Sequence, residues 1–344
     1  MIEIIAGPCS AESREQTVST ASALKSMACP EGMRLSAFRA GLWKPRTRPG
    51  TFEGVGEKGL PWLQEVQRSG LPVAVEVATP AHLEAVLGAG VRIVWIGSRT
   101  TTDPFAVQSL ADSLSGAADV QVFVKNPINP DPDLWIGAME RVLKAGVSRV
   151  CAVHRGFSFY ERSRYRNAPK WQVPIDVMRR LPDVAMFCDP SHIAGDASLV
   201  AEVAQSALDL GFAGLFVESH IDPSSALSDS AQQLTPAALG DVLAGLVPKN
   251  SAVGDASIAA QIDSLRSHID EVDDALLDLL ASRMRISEEI GRCKKKGGIT
   301  VLQSSRWEKV LEMVSAGAVQ RGLDPVFARN LFNLIHEASI ERQK

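Results

Sequence analysis

Short apolar runs rich in Val, Ile and Phe recur roughly every 20 to 40 residues along the first part of the chain, with helix-patterned segments between most of them. They read IEIIA (2–6), RLSAF (34–38), VAVEV (73–77), RIVWIG (92–97), QVFVK (121–125), RVCAV (149–153), VAMFC (184–188) and GLFVE (214–218). Eight buried strands alternating with helices predict a parallel sheet, either closed into a barrel or doubly wound. Polar residues at or just after nearly every strand choose between them: Cys9, Arg39, Glu76, Arg99, Lys125, Arg155, His192 and Glu218. In a closed barrel such residues form one ring at the C-terminal strand ends, whereas a doubly wound sheet gathers them at one switch point. The expected fold is therefore α/β, a (β/α)8 or TIM barrel over 1–245.

After residue 245 the pattern changes. LVPKNSAVGDAS bears Pro, Gly and Ser and reads as a linker, 246–257. No Gly or Pro interrupts 258–290, where Ile262, Leu265, Ile269, Val272, Leu276, Leu279, Leu280, Met284 and Ile290 follow the three-four spacing of a long amphipathic helix. Further helices are expected near 305–321 and 325–342. Three helices, one of them very long, make a poor isolated core, so this small all-α domain, 258–344, is expected to form a homodimer.

Composition narrows the function. A formal net charge of -4 over 344 residues lacks the basic excess of a nucleic-acid footprint. No apolar run is long enough to cross a bilayer, and the N-terminus MIEIIAGPCS has no basic segment before a long apolar one. Cys9, Cys29, Cys151, Cys188 and Cys293 are odd in number, widely spaced and free of CxxC pairs, which suits a reducing cytoplasmic setting. Cys151 and Cys188, inside strands, read as core filling.

Two constellations carry chemistry in the barrel. Cys9, His192, Glu218 and Asp229 supply sulfur, nitrogen and oxygen ligands from separate strand ends and together suit a divalent metal. Singly, each has a bland reading, since a lone thiol after a strand is most often buried filling. The second set is basic: Arg39, Lys44 and Arg46 in FRAGLWKPRT, then Arg99, Lys125 and Arg155. Surface cations usually serve solubility, but at a barrel mouth Arg forks suit phosphate and carboxylate oxygens and Lys supplies a point charge. Six cations exceed the need of one phosphate, pointing to two phosphorylated substrates or one bearing phosphate and carboxylate.

IAGPCS, FRAGLWKPRT, GSR, DPSH and VESH followed by LSDSAQQL resemble the 3-deoxy-D-arabino-heptulosonate 7-phosphate (DAHP) synthase family, in the branch related to 3-deoxy-octulosonate 8-phosphate (KDO8P) synthases. The resemblance implies condensation of phosphoenolpyruvate (PEP) with erythrose 4-phosphate. It implies metal ligation by Cys9, His192, Glu218 and Asp229, with Asp189 of DPSH at the substrate site. Arg39, Lys44, Arg99, Lys125 and Arg155 would hold PEP, and Arg46 and Thr47 the aldose phosphate. KPRT favours the four-carbon aldehyde, because the octulosonate relatives typically carry Asn in this loop. Glu76 and Lys44 are the groups considered for delivering water to PEP. Mn or Fe is the expected metal, with Co, Zn or Cd compatible with a mixed donor set.

In the tail, Arg266 and Arg283 lie seventeen residues apart on one helix, about 25 Å, so one compact ligand cannot meet both within a single helix. LRSHIDEVDDALLDLLASRMRISEEIGRCKKKGG, VLQSSRWEKVL and LFNLIHEASIERQ resemble the all-helical chorismate mutases. That implies intertwined chains, with Arg266 of one joining Arg283, Lys294, Arg306, Ser339 and Gln343 of the other around chorismate, and no cofactor. Lys294 would face the breaking ether bond. Two positions depart from the family, which often has acids where this chain has Gln303 and Trp307; reduced mutase activity is a consequence to test.

The rival readings are a KDO8P-type barrel with a non-catalytic helical dimerisation tail, and a Schiff-base aldolase using Lys125. The chain opens directly at the first strand, which leaves the mutase domain as the expected feedback sensor for prephenate or chorismate. Equal inhibition of the full chain and of a chain ending near Ser251 would defeat that expectation.

Overall fold

The structure is a computed structural model. It describes residues 1–45, 50–117, 119–159, 163–249, 256–302 and 304–343, without the side chains of 256, 257, 304 and 305. The chain divides into two compact units, Met1–Ser251 and Ala252–Lys344.

The first unit is a closed barrel of eight parallel strands in sequential order. The strands are β1 (Ile2–Gly7), β2 (Met33–Ala40), β3 (Val73–Val77), β4 (Ile93–Ile96), β5 (Gln121–Lys125), β6 (Arg149–His154), β7 (Ala185–Cys188) and β8 (Gly214–Glu218), and β1 pairs with β8 to close the ring. Helices α1 (Arg14–Ser26), α2 (Leu60–Arg68), α3 (Pro80–Gly88), α4 (Ser98–Thr101) and α5 (Pro104–Ser113) follow the early strands. After them come α6 (Pro132–Lys144), α7 (Gln172–Arg180), α8 (Pro190–Ala194), α9 (Val200–Asp209) and α10 (Pro236–Gly245). Side-chain caps followed by Pro start several of them: Thr79, Asp103, Asp131 and Thr235 each accept a hydrogen bond from the first turn.

Each strand is buried on both faces, which is why the sequence shows continuous apolar runs rather than alternation. One face packs outward on the helices through residues such as Val75, Val122, Val124 and Leu215. The other fills the barrel with Ile5, Ala37, Ala74, Trp95, Phe123, Phe187 and Phe216. Period-two alternation then decides the next layer. Two residues beyond Ala37, Ala74, Phe123 and Phe216 stand Arg39, Glu76, Lys125 and Glu218, pointing inward at the C-terminal strand ends. They belong to the strands' last residues rather than to the loops beyond.

Two glycines admit this layer. A Cβ on Gly7 would sit 2.1 Å from the Arg39 carbonyl oxygen, and one on Gly97 would sit 2.1 Å from Glu76 Oε1. Neither position accepts Ala without displacing a residue at the barrel mouth.

The second unit holds three helices, α11 (Ala256–Gly297), α12 (Ser304–Gln320) and α13 (Pro325–Gln343). Its first helix runs longer than the 258–290 that periodicity marks. Among its described residues, the buried apolar side chains are two alanines, Ala318 and Ala328. Leu265, Ile269, Val272, Leu276 and Leu279 are each more than half exposed, and their spacing of four, three, four and three forms a continuous seam along α11.

Candidate functional site

Arg39 is 1 % exposed, its guanidinium 5.1 Å from the Trp95 ring centroid and 4.8 Å from that of Phe216. Its Nη2 donates to Glu218 Oε1 at 2.9 Å, and its Nη1 lies 3.6 Å from Asp189 Oδ2. Buried charges persist only when paired in this way. Asp189 does three things at once. Its Oδ1 caps α8 by accepting from the His192 backbone N–H at 3.0 Å, while Oδ2 lies 2.6 Å from Lys125 Nζ and 2.8 Å from His192 Nδ1. The carboxylate is buried, yet His192, Lys125 and Arg39 together hold it well below the usual carboxylate range. A carboxylate behind one ring nitrogen leaves the other, Nε2, to face a ligand; that nitrogen is 3.8 Å from Glu218 Oε1.

Cys9, Glu218 and Asp229 bring ligand atoms within 4.8 Å of one another. Cys9 Sγ is 3.1 Å from Asp229 Oδ2, and Lys44 Nζ donates to the sulfur at 2.8 Å. Burial and then Glu218 push the Cys9 thiol up to about 12, so its proton must leave when a metal arrives. Burial would lower Lys44, but Cys9, Glu218 and Glu76 raise it. Asp229 adopts a left-handed backbone, φ 49°, a strained conformation that Asp tolerates better than most residues and that marks functional positions. The structure thus brings three of the four expected ligands, Cys9, Glu218 and Asp229, to one point, with the His192 imidazole beside Glu218; a thiol and two carboxylates with an imidazole alongside fit a divalent cation by donor type.

Above this cluster opens a cleft of about 410 Å3 lined by Lys44, Glu76, Arg99, Lys125, Arg155 and Arg166, with His192 and Asp229 on its wall. Five cations against two carboxylates, Glu76 and Asp229, make the cleft a receptor for strongly anionic ligands. Arg39, Cys9, Glu218 and Asp189 lie beneath it, buried. Arg46, Thr47 and Gln303 lie outside the described residues.

In the helical unit, Arg283 donates to the Ser339 hydroxyl and Lys294 Nζ donates to Gln343 Oε1 at 3.0 Å and to the Val301 carbonyl at 2.6 Å. These four residues gather where α11 meets α13. Arg306 is exposed on α12. Arg266 is not with them: it is 72 % exposed and paired with Asp263, one turn away.

Residues 1–248 match the model of the DAHP synthetase I family. This chain belongs to that family. Residues 265–344 match the chorismate mutase type II model. The chain is 32 % identical over 232 residues to a phospho-2-dehydro-3-deoxyheptonate aldolase of Thermotoga maritima, covering 67 % of this chain and 64 % of the relative's length. It is 29 % identical over 252 residues to a 2-dehydro-3-deoxyphosphooctonate aldolase of Polaromonas naphthalenivorans, covering 66 % of this chain and 82 % of the relative. Among solved structures, a DAHP synthase from Thermotoga maritima superposes with a TM-score of 0.61 at 28 % identity, over 71 % of this chain and 67 % of that one.

Four residues of this family member escaped the sequence reading. Arg166 Nη1 donates to Asp229 Oδ1 at 2.9 Å and to Gln232 Oε1 at 2.8 Å, and Gln232 Nε2 donates to Glu218 Oε2 at 2.7 Å. Gln233 Oε1 accepts from the Cys9 N–H at 3.0 Å. Asn167 joins two walls, accepting from Arg155 Nη1 at 2.8 Å and donating to the His192 carbonyl at 2.7 Å. Spacing could not single out Arg166 among the arginines of ERSRYRN; the QQ of LSDSAQQL was a usable but ambiguous signal.

Proposed function

We propose that the chain is a bifunctional enzyme that condenses PEP with erythrose 4-phosphate, releasing phosphate, and rearranges chorismate to prephenate. The observation that carries the first activity is the convergence of Cys9, Glu218 and Asp229 beside a cleft lined by cations. In this reading Lys44, Arg99, Lys125 and Arg155 hold the phosphate and carboxylate of PEP, with Arg39 beneath, and Arg46 and Thr47 hold the aldose phosphate. Neutralising these anions lets C3 of PEP approach the aldehyde carbon. Cys9, His192, Glu218 and Asp229 would hold a divalent metal, Mn or Fe, which would supply Lewis acidity when bound. Asp189 orients His192 and Lys125. Glu76 and Lys44, both on the cleft wall, are the two candidates in this reading for delivering the water that adds at C2.

In the helical domain, joined through 246–257, the chain forms a homodimer. What supports this is the exposed α11 seam together with the absence of a large buried apolar side chain among the described residues of that unit. The second copy supplies Arg266 to Arg283, Lys294, Arg306, Ser339, Gln343 and Gln303. Holding two carboxylates and placing Lys294 beside the ether oxygen suffices for the rearrangement. The domain also senses prephenate or chorismate for the barrel. The five free cysteines suit a reducing, cytoplasmic setting, and among the described residues no helix is long and apolar enough to cross a membrane.

The deciding assay follows PEP consumption by metal-reconstituted protein with erythrose 4-phosphate or arabinose 5-phosphate, each with and without chelator. Chelator-sensitive turnover of the four-carbon aldehyde is expected, with loss of about a thousandfold on metal removal. Turnover confined to the five-carbon aldehyde, or indifference to chelator, would overturn the assignment.

A further inference from the structure

Trp307 of α12 and His336 of α13 stack face to face, ring centroids 3.8 Å apart and 5° from parallel. His336 precedes Ser339 by three residues and Gln343 by seven, a spacing that puts all three on one face of α13. Ser339 and Gln343 are the residues on which Arg283 and Lys294 converge, so His336 belongs to the same face as that cation cluster. Its Nε2 is buried and has no hydrogen-bond partner among the described residues. A buried polar atom left unpaired is destabilising and calls for an explanation.

Burial, then Arg283 and Lys294, push His336 below its ordinary value, against Glu337, so the ring is neutral near pH 7. The chemistry of the cluster is thereby divided. Arg283 and Lys294 are suited to the carboxylates of a diacid, and a neutral imidazole nitrogen on the same face is suited to an uncharged hydroxyl, which both donates and accepts and so meets either tautomer. Trp307, at a position where the family often has an acid, contributes a flat face that fixes the plane of the imidazole.

We propose that His336, braced by Trp307, determines recognition of the substrate's ring hydroxyl through Nε2. The proposal rests on the mutase reading of this domain and names the group that reads the hydroxyl within it.

The test uses the full chain and two competitive inhibitors: a bicyclic ether dicarboxylic acid carrying the hydroxyl, and the same diacid lacking it. His336→Phe retains a ring to stack on Trp307 and removes the nitrogen; His336→Leu is the second variant should Phe not fold, as judged by circular dichroism. Wild type is expected to prefer the hydroxylated diacid about tenfold or more. The Phe or Leu variant loses that preference and about tenfold in kcat/KM for chorismate, and His336→Gln recovers part of both. A variant that weakens both diacids equally, or keeps the preference, overturns the assignment while the mutase reading stands. Wild-type protein that neither turns over chorismate nor binds either diacid refutes the mutase reading, and this proposal with it.

Discussion

Arg39 in the barrel is 1 % exposed and lies between Glu218 and Asp189 over two aromatic rings; Arg266 in the helical unit is 72 % exposed and paired with an aspartate one turn away. The same residue type thus does different work in the two regions. The barrel surrounds its charges with eight strands of one chain, and its ion-pair network is closed without help. The helical unit offers cations on separate stretches of helix and leaves its apolar seam in solvent. A barrel makes an inside by closing on itself, whereas three helices, one of them 42 residues long, cannot. The first site is therefore intrinsic to the chain, and the second, in the proposed homodimer, would be a property of an assembly.

The largest effect that separates the regions is expected from charge in the seam. Val272→Asp with Leu279→Asp should halve the mass seen by sedimentation and lower chorismate turnover at least a hundredfold, while PEP condensation changes by less than about threefold, because burying an unpaired carboxylate at an apolar interface costs several kcal/mol. A monomeric variant with undiminished mutase activity would erase the distinction drawn above.

Arg166→Ala tests the closure of the barrel site. Removing the donor to Asp229 and Gln232 should lower kcat/KM for PEP condensation roughly ten- to a hundredfold, as expected for a charge-assisted hydrogen bond of about 1.5 to 3 kcal/mol, leave mutase turnover within twofold, and be partly recovered by Arg166→Lys. Wild-type condensation kinetics in Arg166→Ala would show the network to be bystander packing.

A smaller effect concerns acid. His154 lies fully buried among Trp135, Phe157, Trp171 and Phe212, and burial depresses it from 6.5 to about 3. A depressed histidine binds its proton more readily in the unfolded chain. Its contribution to stability is therefore present above pH 6.5 and is lost as pH falls from there towards 3, by about 2 kcal/mol at pH 5. Calorimetric scans at pH 7 and pH 5 should show the barrel transition moving down more than the helical one, with a shallower slope in His154→Phe. Equal slopes in wild type and variant would place the acid sensitivity elsewhere.

Much of the barrel was legible because its physics is local. Strands buried on both faces have to be continuous apolar runs, and QVFVK and GLFVE matched their strands residue for residue. The charged residues ending those runs were visible for the same reason: a Lys or Glu closing a Val-rich strand stands out from the pattern. The long helix was legible from its three-four spacing, although it extends to Gly297 through KKKG, where charge disguises helical continuity.

Sequence alone thus determined the element order, the barrel, and the donor types at its mouth, because these follow from periodicity and from which residue types can be buried. Tertiary structure alone decided which of them meet. It put Arg39 beneath the cleft rather than in its wall, gave Asp189 a cap and two cations to hold, and chose Arg166 over its neighbouring arginines to reach Asp229. It also set Trp307 on His336. Contacts between residues 63 or 220 positions apart depend on chain closure and loop path, and no local pattern of hydrophobicity records them.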